Sequence, residues 1–268
     1  MSDEFIFKAR TKEAFVIKLL GELLSNTIKF APIKINDKGI SLSQSDSKCE
    51  QLIDIMLNKE NFTSYKCIRS LNFTVNSTHF YKMLKNIKKK DVITVYITES
   101  DPNKLGICVE QSDENNKTTT TIRINHTRPE EFTLPEGYDS PIIMSVKEFQ
   151  KIKALHNISR TVSVSSKPGF IRFFCDGGEL WTRDVVHDDN NDEDKVHKLI
   201  IQTFNTIYLT GLTKCAGCGH SGNVQVFVHP TLPIKIRMRA GNLGDLTVYI
   251  KSREMIDWET EDTTIVKE

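Results

Sequence analysis

The sequence has few of the features that mark a secreted or membrane-spanning protein. No apolar run approaches the roughly 20 residues that a transmembrane helix needs. The first residues, Met1 to Glu4, are acidic and lack an apolar stretch, so we expect no secretory signal. The chain has 6 cysteines, scattered without the density of a disulfide scaffold. We therefore expect a reducing compartment.

Overall charge is also nearly absent. The 36 Lys and Arg residues are balanced by 35 Asp and Glu residues, which leaves a formal net charge of +1. The field of the whole molecule therefore indicates no partner, and any electrostatic function has to come from charges segregated on one surface.

Signs of catalysis are weak. The histidines have no nucleophile nearby in sequence, and the acidic run Asp188 to Asp194 is typical of a solvated loop. The segment Cys215 to His220 has metal-ligand spacing, but a structural zinc needs four ligands and only three are local. We favour a hairpin connection here over a zinc site, and predict no metal, no cofactor and no catalytic residue.

A long internal repeat is the most informative feature that is present. Thr74 to Glu110 and Thr203 to Arg239 follow the same order of strand, short helix, strand, proline-bearing turn and strand. A repeat of this length favours two similar domains over a solenoid. Each would have about 130 residues, which is enough to bury its own core.

The pattern elsewhere predicts short strands and four helices. The helices are expected at about Thr11 to Ser25, Ser77 to Ile87 and Val146 to Asn157, with a short fourth helix after Thr203. The segment Asn125 to Asp139 contains prolines and no sustained period, so it is predicted to be an extended connector. We therefore divide the chain into an N-terminal domain (1–124), the connector (125–139) and a C-terminal domain (140–268) with a short tail.

Lysines on the polar faces of these helices carry the functional signal. A single such face is usually only solvated, but the bias recurs on four helices of a chain that is nearly neutral. The pattern indicates contact with the phosphates of duplex DNA, without sequence preference. The predicted DNA-binding residues are Lys18, Lys82, Lys85, Lys89, Lys147, Lys151 and Lys214.

The order of several segments resembles the sliding clamp family, the proliferating cell nuclear antigen and its viral and archaeal relatives. The resemblance runs from about Phe5 to Lys251. Its most specific parts are Gly39 to Leu42 with Ser45 to Ser47, Val75 to Val95, Leu134 to Glu136, Met144 with Glu148 and Phe149, Leu232 with Pro233, and Leu243 to Ile250. In this order and at family spacing, they together identify the chain as a member of this family. Its Asn- and Lys-rich composition and the extra loop at Lys214 to Asn223 resemble those of a divergent member, from a large DNA virus or an AT-rich genome.

This resemblance implies an α+β fold of two similar clamp domains, each with antiparallel sheets outside and two helices inside. It also implies a head-to-tail homotrimeric ring, with the helices lining the hole. Lys18, Lys82, Lys85, Lys151 and Lys214 match the family's basic channel positions. The expected subunit interface pairs Thr118 to Ile124 with Leu180 to Val186 of the next subunit, through Thr118, Thr120, Ile122, Leu180, Thr182 and Asp184.

The family also captures partners through a short peptide that enters an apolar pocket. The matching positions are Leu52, Phe132, Leu134, Pro135, Pro233, Tyr249 and Ile250. The sequence departs from the family pattern at Ser45 and Glu50, which replace apolar residues, and at Lys251–Ser252, which replaces a small residue and a proline. We therefore expect altered peptide preference and a dependence of binding on charge.

The resemblance implies a non-enzymatic DNA polymerase processivity factor. Its partners would be duplex DNA, a polymerase, a clamp loader and other replication and repair proteins, in a nucleus or at a viral replication site. The alternative is a nucleic-acid enzyme or a zinc-assisted DNA-binding factor that uses the loop with Cys215 and Cys218.

Overall fold

Strands dominate the computed structural model, which describes residues 4–112, 116–128, 132–156, 158–178, 181–189, 198–218 and 222–265. The chain divides into two units. The first comprises residues 1–47, 53–132 and 239–246, and the second comprises residues 48–52, 133–238 and 247–268. Within the described ranges, every helix is too short or too polar to cross a lipid bilayer.

The described residues of the first half of the chain form ten strands and two α-helices. In chain order they are β1 (Phe5–Thr11), α1 (Ala14–Thr27), β2 (Phe30–Ile35), β3 (Gly39–Ser45), β4 (Gln51–Asn58), β5 (Ser64–Cys67), β6 (Leu71–Asn76), α2 (Ser77–Leu84), β7 (Val92–Thr98), β8 (Lys104–Glu110), β9 (Lys117–Arg123) and β10 (Asn125–His126).

These strands form two hydrogen-bonded series. One has the order β5-β1-β7-β8-β9, and the other runs β10-β6-β2-β3-β4. The core between the elements contains the fully buried Phe7, Phe73 and Leu84. Gly21 on α1 allows a close approach to α2, because a Cβ atom there would lie 2.9 Å from the Leu84 side chain.

The second half repeats the plan. Its elements are β11 (Ile142–Ser145), α3 (Val146–Gln150), β12 (Thr161–Lys167), β13 (Phe170–Asp176), β14 (Thr182–Asp188), β15 (Ile200–Asn205), α4 (Thr206–Ala216), β16 (Asn223–Phe227), β17 (Ile234–Ala240), β18 (Gly244–Ile250) and α5 (Arg253–Ile265). Strands pair in the orders β14-β13-β12-β15 and β11-β16-β17-β18.

The predicted repeat is visible at the helix N-termini. Asn76 caps α2 by accepting a hydrogen bond from the His79 amide, and Asn205 caps α4 by accepting one from the Ile207 amide. An Asn at this position satisfies a backbone donor that the helix itself cannot pair. The mixed α and β composition of two similar units agrees with the predicted fold class.

Three predicted helices have different ends in the structure. The first begins at Ala14 because Thr11 still belongs to β1, where it pairs with Ile93. The second ends at Leu84 and not at Ile87. The buried Asp91 carboxylate accepts the Lys88 amide and holds the turn that follows. The third is α-helical only to Gln150 and continues as a 3-10 helix over Lys151–Leu155, and its predicted end at Asn157 lies outside the described residues.

The C-terminal segment forms a helix that the sequence analysis leaves out. Ser252 is fully buried, and its hydroxyl accepts a hydrogen bond from the Met255 amide, which starts α5. The Glu254 carboxylate then accepts the Thr203 amide of β15, with both N···O distances at 3.1 Å. In the first unit the corresponding strand, β6, is instead paired with β10.

These hydrogen bonds set the pKa of the Glu254 carboxyl. Partial burial raises this pKa, but bonds from the backbone amides of Glu254 and Thr203 and from the hydroxyls of Thr203 and Ser252 outweigh it. The pKa lies below its ordinary value as a result.

We expect Glu254→Gln to weaken the attachment of α5 to β15. One charged acceptor contributes on the order of 1 kcal/mol at a partly exposed site, so the Thr203 amide should exchange with solvent roughly fivefold faster. Native-state hydrogen exchange measures this rate. The matched change Asp257→Asn, on the exposed side of α5, should leave the rate unchanged. Equal protection in both variants would contradict the attachment.

Acid should have the same effect on the wild-type protein. A carboxyl with a lowered folded-state pKa contributes stability above its unfolded pKa of about 4.3, and the contribution is lost as the pH falls through the folded-state pKa. Protection of the Thr203 amide, corrected for the intrinsic pH dependence of exchange, should therefore decrease over this acidic range. Glu254→Gln should show no such decrease.

Candidate nucleic-acid and partner-binding surfaces

The first unit places its predicted DNA-binding lysines on α1, on α2 and in the turn after α2. Lys82 and Lys85 are exposed on the last turn and at the C-cap of α2. Lys89 lies beyond the end of α2 and not on the polar face of that helix. Its ammonium nevertheless lies 5.8 Å from the centre of the Phe15 ring, and the Lys18 ammonium lies 5.4 Å from the same centre.

Lys18 differs from the other lysines of this set. Its side chain is only partly exposed, and its ammonium donates a hydrogen bond of 2.9 Å to the Ile87 carbonyl oxygen. The lysine therefore ties α1 to the segment after α2 and holds positive charge beside Lys89. The position of Lys18 is fixed more firmly than that of a freely solvated lysine.

The second unit presents lysines on α3, on the 3-10 helix and on α4. Lys147, Lys151 and Lys214 are all exposed. Helices α3 and α4 are in contact, and the Gln150 side chain donates a hydrogen bond to the Thr213 carbonyl oxygen beside Lys214. These contacts keep the three lysines on neighbouring elements.

The start of α3 is held by a capping box. The Glu148 amide donates to the Ser145 hydroxyl oxygen, and the Glu148 carboxylate accepts the Ser145 amide at 2.9 Å. Hydrogen bonds from the Ser145 hydroxyl and amide, and from His187, lower the pKa of Glu148 to about 2. The carboxylate therefore stays ionised at neutral pH and continues to fix the helix that carries Lys147.

The two strands of the predicted subunit interface are edge strands. Within the described residues, β9 has a hydrogen-bonded neighbour only in β8, and β14 only in β13. Thr118, Thr182 and Asp184 are exposed, whereas Ile122 is buried in its own unit. Leu180 lies outside the described residues, and Thr120 is partly exposed.

Exposed side chains on and beside β14 extend the candidate interface beyond the predicted set. Val186 is 53% exposed, and Trp181, just before the strand, is 48% exposed. Asp184 accepts two hydrogen bonds from the Arg172 guanidinium, of 3.0 and 2.8 Å, so its charge is offset within the unit. Sequence pattern alone does not distinguish Val186 from the buried Val185, because both are valines on one strand.

The predicted peptide-binding residues fall into both units. Phe132 lies in the first unit, beside a groove of about 430 Å³ that is also lined by Phe30, Ser41, Asn72 and Arg128. The other predicted residues, Leu52, Leu134, Pro135, Pro233, Tyr249 and Ile250, belong to the second unit. Leu52, Leu134, Pro135 and Pro233 are partly exposed, whereas Tyr249 is 5% exposed and Ile250 is fully buried.

Tyr138 joins this second-unit group, although the sequence analysis does not include it. Its hydroxyl donates a hydrogen bond of 2.7 Å to the Pro233 carbonyl oxygen, and its ring lies 6.5 Å from that of Tyr249. Burial raises the pKa of the Tyr138 hydroxyl above its ordinary value, so the group remains a neutral donor. The sequence feature that could have indicated Tyr138 as a member of this group is its position in the predicted connector, directly after Gly137.

The cysteine segment differs from the predicted hairpin connection. Cys215 belongs to α4, Cys218 follows in a turn, and both are buried. His220 lies outside the described residues. Among the residues that the structure describes, no group of three or more His, Cys, Asp and Glu side chains is placed to hold a metal ion.

Comparisons with known proteins match both halves of the chain. The family model for the proliferating cell nuclear antigen N-terminal domain matches residues 6–128, and the model for its C-terminal domain matches residues 133–254.

Relatives from three kinds of organism align over nearly the whole chain. A proliferating cell nuclear antigen of Chaetomium thermophilum is 24% identical over 91% of this chain and 97% of its own length. A DNA polymerase sliding clamp of Cenarchaeum symbiosum is 26% identical over 92% of this chain and 98% of its own length. A probable DNA polymerase sliding clamp of Paramecium bursaria Chlorella virus 1 is 23% identical over 92% and 97%. The chain therefore belongs to the proliferating cell nuclear antigen family of sliding clamps.

Proposed function

We propose that this chain is a non-enzymatic DNA polymerase processivity factor. Three copies assemble head to tail into a ring that encircles duplex DNA without sequence preference. The ring tethers a polymerase, a clamp loader and other replication and repair proteins through short peptides, in a nucleus or at a viral replication site. The observation that carries the proposal is the exposed lysine set on the helices of both units, in a chain whose net charge is only +1.

Exposed lysines suit a sliding contact. Flexible ammonium groups attract phosphates without reading base edges, so binding is weak, salt-dependent and independent of sequence. Lysines from both units supply this charge, which supports a surface that follows the DNA backbone.

The two edge strands support assembly. An edge strand presents unpaired backbone donors and acceptors, and pairing with a neighbouring subunit satisfies them. Since β9 and β14 are edges of different units, pairing β9 of one copy with β14 of the next is a head-to-tail contact, and such contacts form a ring when the rotation between subunits closes.

We expect light scattering at micromolar concentration to give a mass of three times 30.6 kDa. Val186→Glu should convert this trimer to monomer, because it places a carboxylate beside the paired edge of β14. The matched change Ile143→Glu alters a similarly exposed aliphatic residue on β11 and should leave the trimer intact. A wild-type monomer that stays monomeric on DNA would contradict the ring.

Changing Lys82, Lys85 and Lys151 to Glu should abolish processive synthesis while folding and trimer formation persist. The variant repels phosphates where the wild type attracts them. Primer extension on a long circular template measures the effect. Changing the exposed Lys38, Lys48 and Lys66 to Glu makes the same change in net charge away from the helices and should leave stimulation intact. Full stimulation by the first variant would reject the channel assignment.

Phe132→Ala combined with Leu134→Ala should lower affinity for a labelled peptide with two aromatic anchors by a hundredfold or more. Apolar anchor contacts of this kind contribute on the order of a few kcal/mol. Fluorescence anisotropy measures binding, and the trimer mass is checked in parallel. Thr133→Ala, between the two sites, is the control. Unchanged affinity with an intact ring would show that partners dock elsewhere.

A further inference from the structure

Three aromatic rings of the second unit surround one lysine ammonium. The Lys235 Nζ atom lies 4.8 Å from the ring centre of Phe227, 5.3 Å from that of Tyr138 and 5.8 Å from that of Tyr249. All three distances are within the range of a cation–π contact. We call Tyr138, Phe227 and Tyr249 with Lys235 the lysine box.

Separate elements hold the lysine box in place. Phe227 on β16 and Lys235 on β17 are direct cross-strand partners, so their side chains share one face of the sheet. Tyr249 comes from β18, and Tyr138 is fastened by its hydrogen bond to the Pro233 carbonyl oxygen. The Tyr138 ring meets the Phe227 ring edge-on at 6.0 Å. The ammonium therefore has a defined position among the three rings, one of which is bonded to Pro233.

The charge of Lys235 is not offset in the same way as that of the nearby Lys251. The Lys251 ammonium donates a hydrogen bond of 2.7 Å to the Glu259 carboxylate. Within the described part of the chain, the Lys235 ammonium contacts rings and has no carboxylate partner. Aromatic rings attract a partly exposed cation and leave its N–H donors available.

We propose that Lys235 is a specificity-determining residue that selects partner peptides with an acidic side chain next to their aromatic anchors. The inference rests on the proposed tethering function, because Pro233 and Tyr249 belong to the proposed peptide-binding surface. A carboxylate on the peptide completes the hydrogen bonding of the ammonium and forms a charge-assisted contact.

Peptides with a basic or an apolar side chain at this position bind less well than acidic peptides. A basic side chain at the same position faces a cation of like charge, and the rings that would hold it already surround Lys235. An apolar side chain covers the ammonium without supplying an acceptor, which leaves a desolvated charge unpaired. The lysine box thus favours acidic peptides both by attraction and by exclusion.

Three sets of fluorescein-labelled synthetic peptides test the proposal. All share one helix-forming sequence with two adjacent phenylalanines, and a single Glu, Gln or Lys is moved through the positions that flank them. On the wild-type trimer we expect one flanking position where Glu binds about tenfold more tightly than Gln, with Lys weakest. The preference for Glu should weaken as salt is added.

Variants assign the preference to Lys235. Lys235→Gln should remove the difference between the Glu and Gln peptides, and Lys235→Glu should reverse the order so that the Lys peptide binds best. Lys251→Gln is the matched control, because Glu259 already offsets that charge, and it should keep the wild-type order. Trimer mass and melting temperature establish that each variant is folded.

The outcomes separate the inference from the function on which it rests. Equal binding of Glu, Gln and Lys peptides to wild type, or discrimination that survives Lys235→Gln, would overturn the role of Lys235 while leaving peptide tethering in place. Failure of every peptide to bind wild type would overturn the tethering surface and the inference together. Reversal in Lys235→Glu supports both.

Discussion

Backbone hydrogen bonding at strand edges is the constraint on which the rest of this structure depends. Each unit is built from sheets, and every sheet ends in a strand with donors and acceptors to satisfy. The edge of β6 is paired with β10, and the equivalent strand β15 is covered by α5 through the Glu254 carboxylate. Within the described residues β9 and β14 are edge strands too, and these two carry the proposed subunit contact.

The lysines depend on the same framework. Caps at Asn76, Ser145 and Asn205 fix where the helices start, and helix contacts within each unit then fix which side chains face solvent. The Lys18 ammonium also positions charge beyond the helices. It donates a hydrogen bond to the Ile87 carbonyl oxygen and so links the segment that leads to Lys89 to α1. Positive charge is therefore positioned by local backbone geometry in a chain with almost no net charge.

Local pattern predicted the repeat and the approximate positions of four helices, because each depends on residues that are close in sequence. The differences arise where burial of a side chain decides. The end of α2 depends on the buried Asp91, and the start of α5 depends on burial of Ser252, which composition does not reveal. The lysine box joins Tyr138 to three strands about 90 residues or more further along the chain, so no periodicity could have indicated it. Val186 was likewise absent from the predicted set of interface residues, because only the fold shows that Val186 is exposed while the neighbouring Val185 is buried.

The departure from the family pattern at Lys251–Ser252 has a physical consequence in this chain. A buried serine there starts α5, and α5 supplies Glu259 to the Lys251 ammonium. From the sequence, Glu50 and Lys251 are predicted to make peptide binding depend on charge, and the ion pair with Glu259 offsets the charge of Lys251 within the unit. Lys235, held among three rings, is then the better-placed cation beside Pro233 and Tyr249. Under the proposal that Lys235 selects acidic peptides, the altered residues after the last strand act on peptide choice indirectly, because Glu259 offsets the charge of Lys251 and leaves that of Lys235.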